Sequence, residues 1–262
     1  KEQTTFWDTV YTKGLGEFFY KNNIDYHNLV QFPFSEKPSP VSPPREGKER
    51  GGLQNRSLLF FGGGKDSIVS AELLKKNNKP FTLFMVNDSP IQEKTAKVID
   101  KEKIIIQRRL DPKLFEFNKH EGVYNGHIPV SSVWAFIGLL AAVLYDYQYL
   151  VTSNEHSANY GNVQYLGEEM NHQWSKSLEF ETLFQEYVHD YVTSEITYFS
   201  LLRPLHEIEI ARIFSRYSQY FSHFSSCNRN FKIQNALTGK NWCGECPKCV
   251  FVFLLLSAFL SK

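Results

Sequence analysis

A run of three glycines between an apolar stretch and an amphipathic stretch is the sequence feature that most constrains the fold. The segment reads SLLFFGGGKDSIVSAELLKKNN and covers residues 57–78. Residues 58–61 predict a short buried strand, and residues 68–76 predict a helix with one apolar face. A glycine turn that joins a buried strand to a helix is typical of α/β proteins, whose ligands bind at the carboxyl ends of parallel strands.

Apolar strands and helices alternate along the rest of the chain. Further strands are predicted at residues 81–86, 103–107 and 149–153. Helices are predicted at residues 130–146, near 178–191 and 205–217, and through the apolar C-terminus. We expect Ser131 or Ser132 to cap the first of these helices, and Pro204 to open the third. Strands that are apolar throughout and separated by helices predict an α/β fold, with helices on both faces of a parallel sheet.

The length, net charge and hydropathy of the chain indicate how it is divided into segments and which partners it lacks. We expect an N-terminal segment at residues 1–35, a connector rich in Pro, Ser and charged residues at 36–56, and a catalytic domain at 57–262.

The formal net charge of +1 argues against a nucleic-acid partner, because proteins that bind nucleic acids usually carry an excess of basic residues. The longest apolar run has 11 residues, whereas a bilayer crossing needs about 20, so no membrane partner is expected. With no signal peptide recognised, a cytoplasmic location is predicted.

The glycine turn has the composition of an anion-binding loop. Glycines let backbone N–H groups approach a phosphate closely, and the helix that follows adds its positive N-terminal end. Neither G-x-x-x-x-G-K-[ST] nor G-x-G-x-x-G is present, so the two commonest phosphate motifs do not apply. The predicted phosphate-binding residues are Gly62, Gly63, Gly64, Lys65, Asp66 and Ser67.

The cysteines are concentrated near the C-terminus and have metal-ligand spacing. Cys227 is followed by Cys243, Cys246 and Cys249 in a C-x-x-C-x-x-C arrangement. Four thiolates suit a closed, structural zinc site, and an iron–sulfur cluster is the alternative. Gly244 and Pro247 would fit the tight turns of such a site.

Three polar segments adjoin predicted strand or helix ends, where side chains can converge on one site. They read YNGHIPVSS, SNEHSANYGN and MNHQWSKSLEFE, and a fourth segment, YFSLLRPLHE, adds an arginine. Imidazole, carboxylate and amine groups suit proton transfer, whereas guanidinium and amide groups suit the binding of carboxylates or phosphates. The candidate residues in these segments are Asn125, His127, Asn154, Glu155, His156, Asn159, Asn162, Asn171, His172, Gln173, Ser175, Lys176 and Arg203.

The GGGKDS loop resembles the S-G-G-x-D-S loop of the PP-loop ATP pyrophosphatases. Gly62 stands where that motif has serine. The resemblance implies a five-stranded parallel sheet of the PP-loop (HUP-like) type, ATP and Mg²⁺. It also implies cleavage of ATP between the α- and β-phosphates, with transfer of AMP to a carboxylate or carbonyl oxygen.

Within that superfamily, blocks spread from about residue 14 to the C-terminus are similar to the UDP-N-acetylmuramoyl-L-alanyl-L-glutamate epimerases of the MurL type. They include GLGEFFYKNNID, RRLDPKLFEFN, SNEHSANYGNV, NHQWSKSLEFE and WCGECPKCVFVFLLL. The resemblance implies adenylylation of the terminal glutamate, which makes its α-proton removable, and then return of the proton on the other face. The substrate would be a UDP-linked muramoyl dipeptide of peptidoglycan precursor synthesis.

This resemblance leads to specific residue roles. Residues 62–67 are predicted to hold ATP, with Asp66 helping to bind Mg²⁺. His127, Glu155, His172 and Lys176 are the candidates for proton transfer and oxyanion stabilisation, and His156 or a one-base mechanism are alternatives. Asn154 and Arg203 are predicted to bind substrate, Arg203 through the glutamate side-chain carboxylate. The four cysteines are predicted to hold zinc.

Two other functions stay open at this point. One is another PP-loop adenylylating enzyme, either a 7-cyano-7-deazaguanine synthase, which has a similar four-cysteine tail, or a tRNA-modifying enzyme. The other is an inactive nucleotide-binding module, for which Gly62 in place of serine is the hint.

Overall fold

The computed structural model describes residues 1–35, 52–231 and 239–260. The chain divides into two compact units. The first unit consists of Lys1–Gln54, Arg109–Gln148 and Ala158–Thr197, and the second of Asn55–Arg108, Tyr149–Ser157 and Tyr198–Lys262. The predicted connector at residues 36–56 lies mostly outside the described residues. The three-part division of the chain therefore stays a prediction.

A five-stranded sheet, assigned mainly to the second unit, is the centre of the α/β fold. Its spatial order is β3-β2-β1-β4-β7, and β1, β2 and β3 pair in parallel. A separate antiparallel pair, β5-β6, belongs to the first unit. The strands are β1 Gln54–Phe60, β2 Phe81–Val86, β3 Lys103–Ile106, β4 Tyr147–Thr152, β5 Val163–Tyr165, β6 Glu168–Met170 and β7 Thr197–Ser200.

Each unit has its own set of helices. Those of the first unit are α1 Glu2–Gly14, α2 Gly16–Lys21, α5 Lys113–Phe117, α6 Val130–Tyr145 and α7 Leu178–Tyr191. Those of the second unit are α3 Lys65–Lys76, α4 Pro90–Ile99, α8 Glu207–Phe214 and α9 Pro247–Ser257. Among the residues that the structure describes, no helix combines the length and apolarity that a bilayer crossing requires.

The core of the second unit explains why its central strands are apolar on both faces. Leu58 and Leu59 of β1 are adjacent in sequence and both are fully buried. Because neighbouring side chains of a strand point to opposite faces, both faces of the sheet are covered. In the first unit the packing is aromatic: Phe6 of α1 stacks on Tyr187 of α7 with ring centroids 4.3 Å apart.

The structure confirms the predicted α/β class and most of the predicted elements. The strand at 81–86 and the helix at 178–191 have the predicted bounds. The predicted cap of the helix at 130–146 is wrong, because α6 begins after Pro129. Ser132 therefore lies inside the first turn, where its hydroxyl donates to the Pro129 carbonyl at 2.6 Å.

The predicted start of the helix at 205–217 is also wrong. Residues 201–204 form turns, and the N–H of Leu205 donates to the carbonyl of Leu202 at 2.9 Å. The helix begins only at Glu207. Pro204 therefore lies in the turn that precedes α8, and not in its first turn.

Candidate functional site

The strand order places the glycine loop where a ligand of an α/β sheet is expected. After β1, the chain adds β2 and β3 on one side of β1 and then crosses to its other side to add β4 and β7. Such a reversal opens a crevice at the carboxyl ends of the two central strands. Residues 62–67 follow β1, and residues 153–157 follow β4. Both segments belong to the second unit.

The three glycines of the loop are not equivalent. Gly63 has φ +75°, and a Cβ there would lie 3.0 Å from Thr95 Oγ1 and 3.2 Å from Gln92 Cα. Only glycine adopts this conformation at low cost, so Gly63 is required by the backbone. A Cβ on Gly62 would meet no atom within 4 Å. The turn therefore requires glycine at position 63. At position 62, where the PP-loop motif has serine, there is space for a side chain.

Lys65 begins α3 and is a buried cation with two acidic partners. Its side chain is 3% exposed, and its Nζ lies 2.5 Å from Asp66 Oδ1 and also contacts Glu207 Oε2. Burial acts to lower the pKa of Lys65, but the charges of Asp66 and Glu207 outweigh burial and raise it. The ammonium therefore stays charged. Glu207 was not predicted as a site residue, because it lies 142 positions away in an unremarkable helix.

The group around Lys65 carries excess negative charge. Burial raises the pKa of Glu207, and the charges of Asp66 and Glu155 raise it further, against the lowering effect of Lys65. Burial, together with these two carboxylates, outweighs the one ammonium, so the pKa of Glu207 lies above its usual range although Glu207 pairs with a lysine. A phosphate-bearing ligand at this loop would need additional positive charge.

Of the predicted residues, Asn154 and Glu155 lie in the segment after β4, and Arg203, after β7, contacts that segment. Glu155 is 8% exposed, and its Oε2 accepts hydrogen bonds from the N–H and the hydroxyl of Ser157. Arg203 Nη1 donates to the Glu155 carbonyl at 3.0 Å. Asn154 Nδ2 donates to Thr152 Oγ1 at 3.2 Å. The structure therefore brings Asn154, Glu155 and Arg203 together in the second unit.

The rings of His156 and His206 also meet in the second unit. Their centroids are 4.4 Å apart in an edge-to-face arrangement. His206 immediately precedes α8 and Glu207. The sequence singled out His156 as an alternative base but gave no signal for His206, which comes into contact only through the turn before α8.

The other three candidates for proton transfer belong to the first unit. His127 lies in the segment before α6 and is half-buried. His172 Nδ1 lies 3.1 Å from Asn162 Oδ1, and both residues line a polar cavity of about 160 Å³. Lys176 Nζ donates to Gln173 Oε1 at 3.4 Å. Donation from Nδ1 to the Asn162 carbonyl oxygen would place the imidazole lone pair of His172 on Nε2, which suits a proton acceptor.

The four cysteines form one cluster in the second unit. Their Sγ atoms all lie within 4.8 Å of one another, and three of the separations are 3.4, 3.7 and 3.9 Å. Four sulfurs at about 2.3 Å from a tetrahedral ion would be about 3.8 Å apart. The spacing therefore fits a single tetrahedral ion, whereas a four-iron cluster attaches each thiolate to a different iron and spreads the sulfurs further.

The backbone of the cluster has the expected knuckle geometry. Gly244 has φ +77°, and the N–H groups of Glu245 and Cys246 donate to Cys243 Sγ at 3.4 and 3.3 Å. Pro247 occupies the first position of α9. The predicted roles of Gly244 and Pro247 in tight turns are consistent with this geometry, and all four donors suit a structural site with no open position.

Solved structures similar to this chain include a predicted tRNA methyltransferase subunit from Methanocaldococcus jannaschii. It is 20% identical, with TM-score 0.37, over 61% of this chain and 74% of that one. The U34-tRNA thiolase NcsA from Methanococcus maripaludis, with its [4Fe-4S] cluster, is 13% identical, with TM-score 0.42 over 67% and 59%. NMN synthetase from Francisella tularensis is 13% identical, with TM-score 0.35 over 63% and 62%. At these TM-scores none bears on function.

Curated relatives are much more similar in sequence. A UDP-N-acetyl-alpha-D-muramoyl-L-alanyl-L-glutamate epimerase from Xanthomonas oryzae pv. oryzae is 41% identical over 261 residues, which cover 100% of this chain and 56% of the relative. Proteins of the same name from Micromonospora sp. and Salinispora tropica are 39% and 40% identical, over 97% of this chain and 55% and 54% of theirs. The chain spans just over half the length of these relatives.

Two family models match the chain in consecutive order. The model described as the MurL N-terminal domain matches residues 1–201, and the model described as the MurL C-terminal domain matches residues 223–262. The second match contains all four cysteines, and the first contains the glycine loop. The chain therefore belongs to the MurL family.

Proposed function

We propose that the chain carries out ATP-dependent epimerisation of the terminal L-glutamate of UDP-N-acetylmuramoyl-L-alanyl-L-glutamate to D-glutamate, a step of peptidoglycan precursor synthesis in the cytoplasm. The glycine loop at the sheet's reversal point carries this proposal, because its conformation at Gly63 and its cation at Lys65 suit a triphosphate. The names of the curated relatives support the choice of substrate. Family membership favours this activity over a deazaguanine synthase, a tRNA-modifying enzyme or an inactive module.

The chemistry explains why an epimerase would need ATP. Removal of the α-proton beside an ionised carboxylate would put a second negative charge on the same group. Attack of the carboxylate oxygen on the α-phosphorus of ATP gives an acyl adenylate, in which the carboxyl group itself is no longer charged, and releases pyrophosphate. The α-proton then becomes acidic enough for a side-chain base, and water finally cleaves the adenylate into glutamate and AMP.

In this proposal the second unit activates the carboxylate. Backbone N–H groups of residues 62–67 and the start of α3 hold the phosphates, with Ser67 and Lys65 contributing side-chain groups. Asp66 helps to hold Mg²⁺, which screens the charge of the pyrophosphate leaving group. The excess negative charge around Lys65 supports a requirement for that cation. Arg203 binds the glutamate side-chain carboxylate, and Asn154 binds the substrate nearby.

Proton transfer is assigned to the candidates that the sequence analysis named for it. Removal of the α-proton and its return on the opposite face call for two groups, or for one group that exchanges its proton. We favour His172 as the base, because a hydrogen bond from its Nδ1 to Asn162 Oδ1 leaves the lone pair on Nε2. The full candidate set is His127, Glu155, His172 and Lys176.

The cysteine cluster is assigned a structural zinc ion. Its four sulfurs match the spacing of a tetrahedral site, and a closed set of four thiolates leaves no position for a substrate. The ion would hold the segment around Cys227 to the start of α9.

The direct test is to incubate the chain with ATP and Mg²⁺, with and without the muramoyl dipeptide nucleotide. Pyrophosphate release and the chirality of the glutamate are then measured. The proposal predicts release that depends on the dipeptide nucleotide, with D-glutamate appearing in the product. Binding of ATP without any D-glutamate would contradict the proposed function for this chain, and the deazaguanine acid would then be tried as the acceptor.

A further inference from the structure

Lys65 needs an anchor from outside its own helix. It is the first residue of α3, and its partner Asp66 is the next residue along the chain. A neighbour on the same turn moves together with Lys65, so it does not fix the ammonium relative to the rest of the fold. Glu207, on α8, is the partner that comes from a different element.

Glu207 is well placed to provide that anchor. It is the first residue of α8, where the positive end of the helix favours a carboxylate. Its side chain is 20% exposed, against 3% for Lys65, so the pair lies largely away from water. In a partly buried pair each charge depends on the other, and loss of one leaves the other uncompensated.

Asp66 has a competing task under the proposed function. If its carboxylate helps to hold Mg²⁺, it is less available to Lys65 during the reaction. Glu207 then remains as the fixed partner of the ammonium. We propose that Glu207 is a positioning residue of the reaction, which holds the Lys65 ammonium in place at the glycine loop for the phosphates of ATP. This proposal rests on the proposed function.

The charges facing Glu207 make the effect of a substitution diagnostic. Asp66 and Glu155 are the other acidic groups that act on it, and Lys65 is the cation. If Glu207 were only one more negative charge, its removal would strengthen anion binding and leave turnover unharmed. If Glu207 positions Lys65, its removal lowers turnover even though the repulsion has decreased. The two roles therefore predict opposite results.

The first experiment measures Lys65 itself and needs no nucleotide. Wild type, Glu207→Gln and Glu209→Gln are treated with an amine-reactive reagent, and the labelling rate of each lysine is followed by mass spectrometry. Glu209 is the matched control, because it lies on the same helix and pairs with Arg212 through a 2.6 Å contact. The exposed Lys97 serves as the internal reference.

We expect Lys65 of the wild type to react far more slowly than Lys97. In Glu207→Gln the Lys65 rate should rise several-fold, because the amine loses a charged partner and becomes more mobile. In Glu209→Gln it should not change. A Lys65 rate that is the same in all three proteins, in samples with native circular dichroism, would overturn the proposal.

The second experiment separates turnover from binding. Glu207→Gln should lower kcat for pyrophosphate release about ten- to a hundred-fold, with little change in KM for ATP. The loss should be smaller than the roughly 10²–10³-fold cost of removing a charge-stabilising donor, because Lys65 itself remains. Glu207→Asp keeps the charge on a shorter side chain, so its kcat should lie between those of the wild type and Glu207→Gln. If Glu207→Gln does not fold, Glu207→Asp takes its place in both experiments, with smaller changes in the same direction.

The outcomes distinguish this proposal from the proposed function. If Glu207→Gln has an unchanged kcat and a lower KM for ATP, the positioning role is overturned but the proposed epimerase activity is not contradicted. Lack of pyrophosphate release by the wild type would contradict the proposed function and, with it, the role of Glu207 in that reaction. The labelling result would still decide whether Glu207 holds Lys65.

Discussion

Alanine substitutions at Gly62 and Gly63 compare two adjacent positions of the glycine loop that have opposite structural demands. At Gly63 an alanine would have to adopt φ +75°, and its Cβ would lie 3.2 Å from the backbone Cα of Gln92. At Gly62 the added Cβ would meet no atom within 4 Å. Replacing glycine by alanine also stabilises the fold by lowering the conformational entropy of the unfolded chain. This contribution is about the same for both substitutions, so it cancels when the two variants are compared.

The magnitude follows from two contributions. A non-glycine residue in the left-handed region costs about 1–2 kcal/mol, and crowding against backbone adds about 1 kcal/mol or more. Gly63→Ala should therefore be about 2–3 kcal/mol less stable than Gly62→Ala. For a chain of this length that corresponds to a melting temperature lower by roughly 4–12 °C.

The assay is thermal unfolding of both variants and the wild type, followed by circular dichroism and repeated with ATP and Mg²⁺. Gly62→Ala should melt close to the wild type. Gly63→Ala should melt lower and gain less from the nucleotide, because its turn no longer presents the same N–H groups. Equal melting temperatures for the two variants would refute the account of the loop.

Three other perturbations have defined outcomes. Cys246→Ser should lose the metal that zinc analysis detects in the wild type, whereas the neighbouring exposed Lys248→Ala should retain it. Retention of one zinc per chain in Cys246→Ser would contradict the four-thiolate site. Burial raises the pKa of Tyr220, so the folded state keeps a proton that the unfolded state loses, and stability should fall as pH rises above about 10. Tyr220→Phe should reduce the slope of the unfolding free energy against pH in this range by up to about 1.4 kcal/mol per pH unit, as measured by urea unfolding. Ser89→Ala removes the side-chain cap of α4 and should cost about 1 kcal/mol in the same assay, and no loss would count against the capping box.

The elements with continuous apolar runs or clear caps could be predicted from the sequence. Residues 81–86 are buried on both faces, and the helix at 178–191 follows a serine whose side chain accepts from the N–H of Phe180. The helix α4 was missed although its S-P-I-Q start is a capping-box sequence, so the signal was present. The short strand β7 has only four residues and gave no comparable pattern.

The candidate site was predictable where it is local in sequence. The loop at residues 62–67 and the cysteines at 243–249 are contiguous motifs; the loop joins β1 to α3, and the Sγ atoms of these cysteines and Cys227 lie within 4.8 Å of one another. That they bind ATP and zinc stays a prediction. Glu207 was missed because its importance lies in a contact across 142 positions. The hairpin β5-β6 was missed because Leu166 occupies a left-handed position at its turn, which a sequence pattern does not predict for leucine.

The central claim is that ATP activates the glutamate carboxylate, and an oxygen label tests it most directly. The muramoyl dipeptide nucleotide is prepared with ¹⁸O in the α-carboxylate of its terminal glutamate and incubated with the chain, ATP and Mg²⁺ in unlabelled water. If the carboxylate attacks the α-phosphorus and water then attacks the acyl carbon, one labelled oxygen passes into AMP for each turnover, which mass spectrometry detects. D-glutamate formation with unlabelled AMP, or with no AMP at all, would contradict carboxylate adenylylation followed by attack at the acyl carbon.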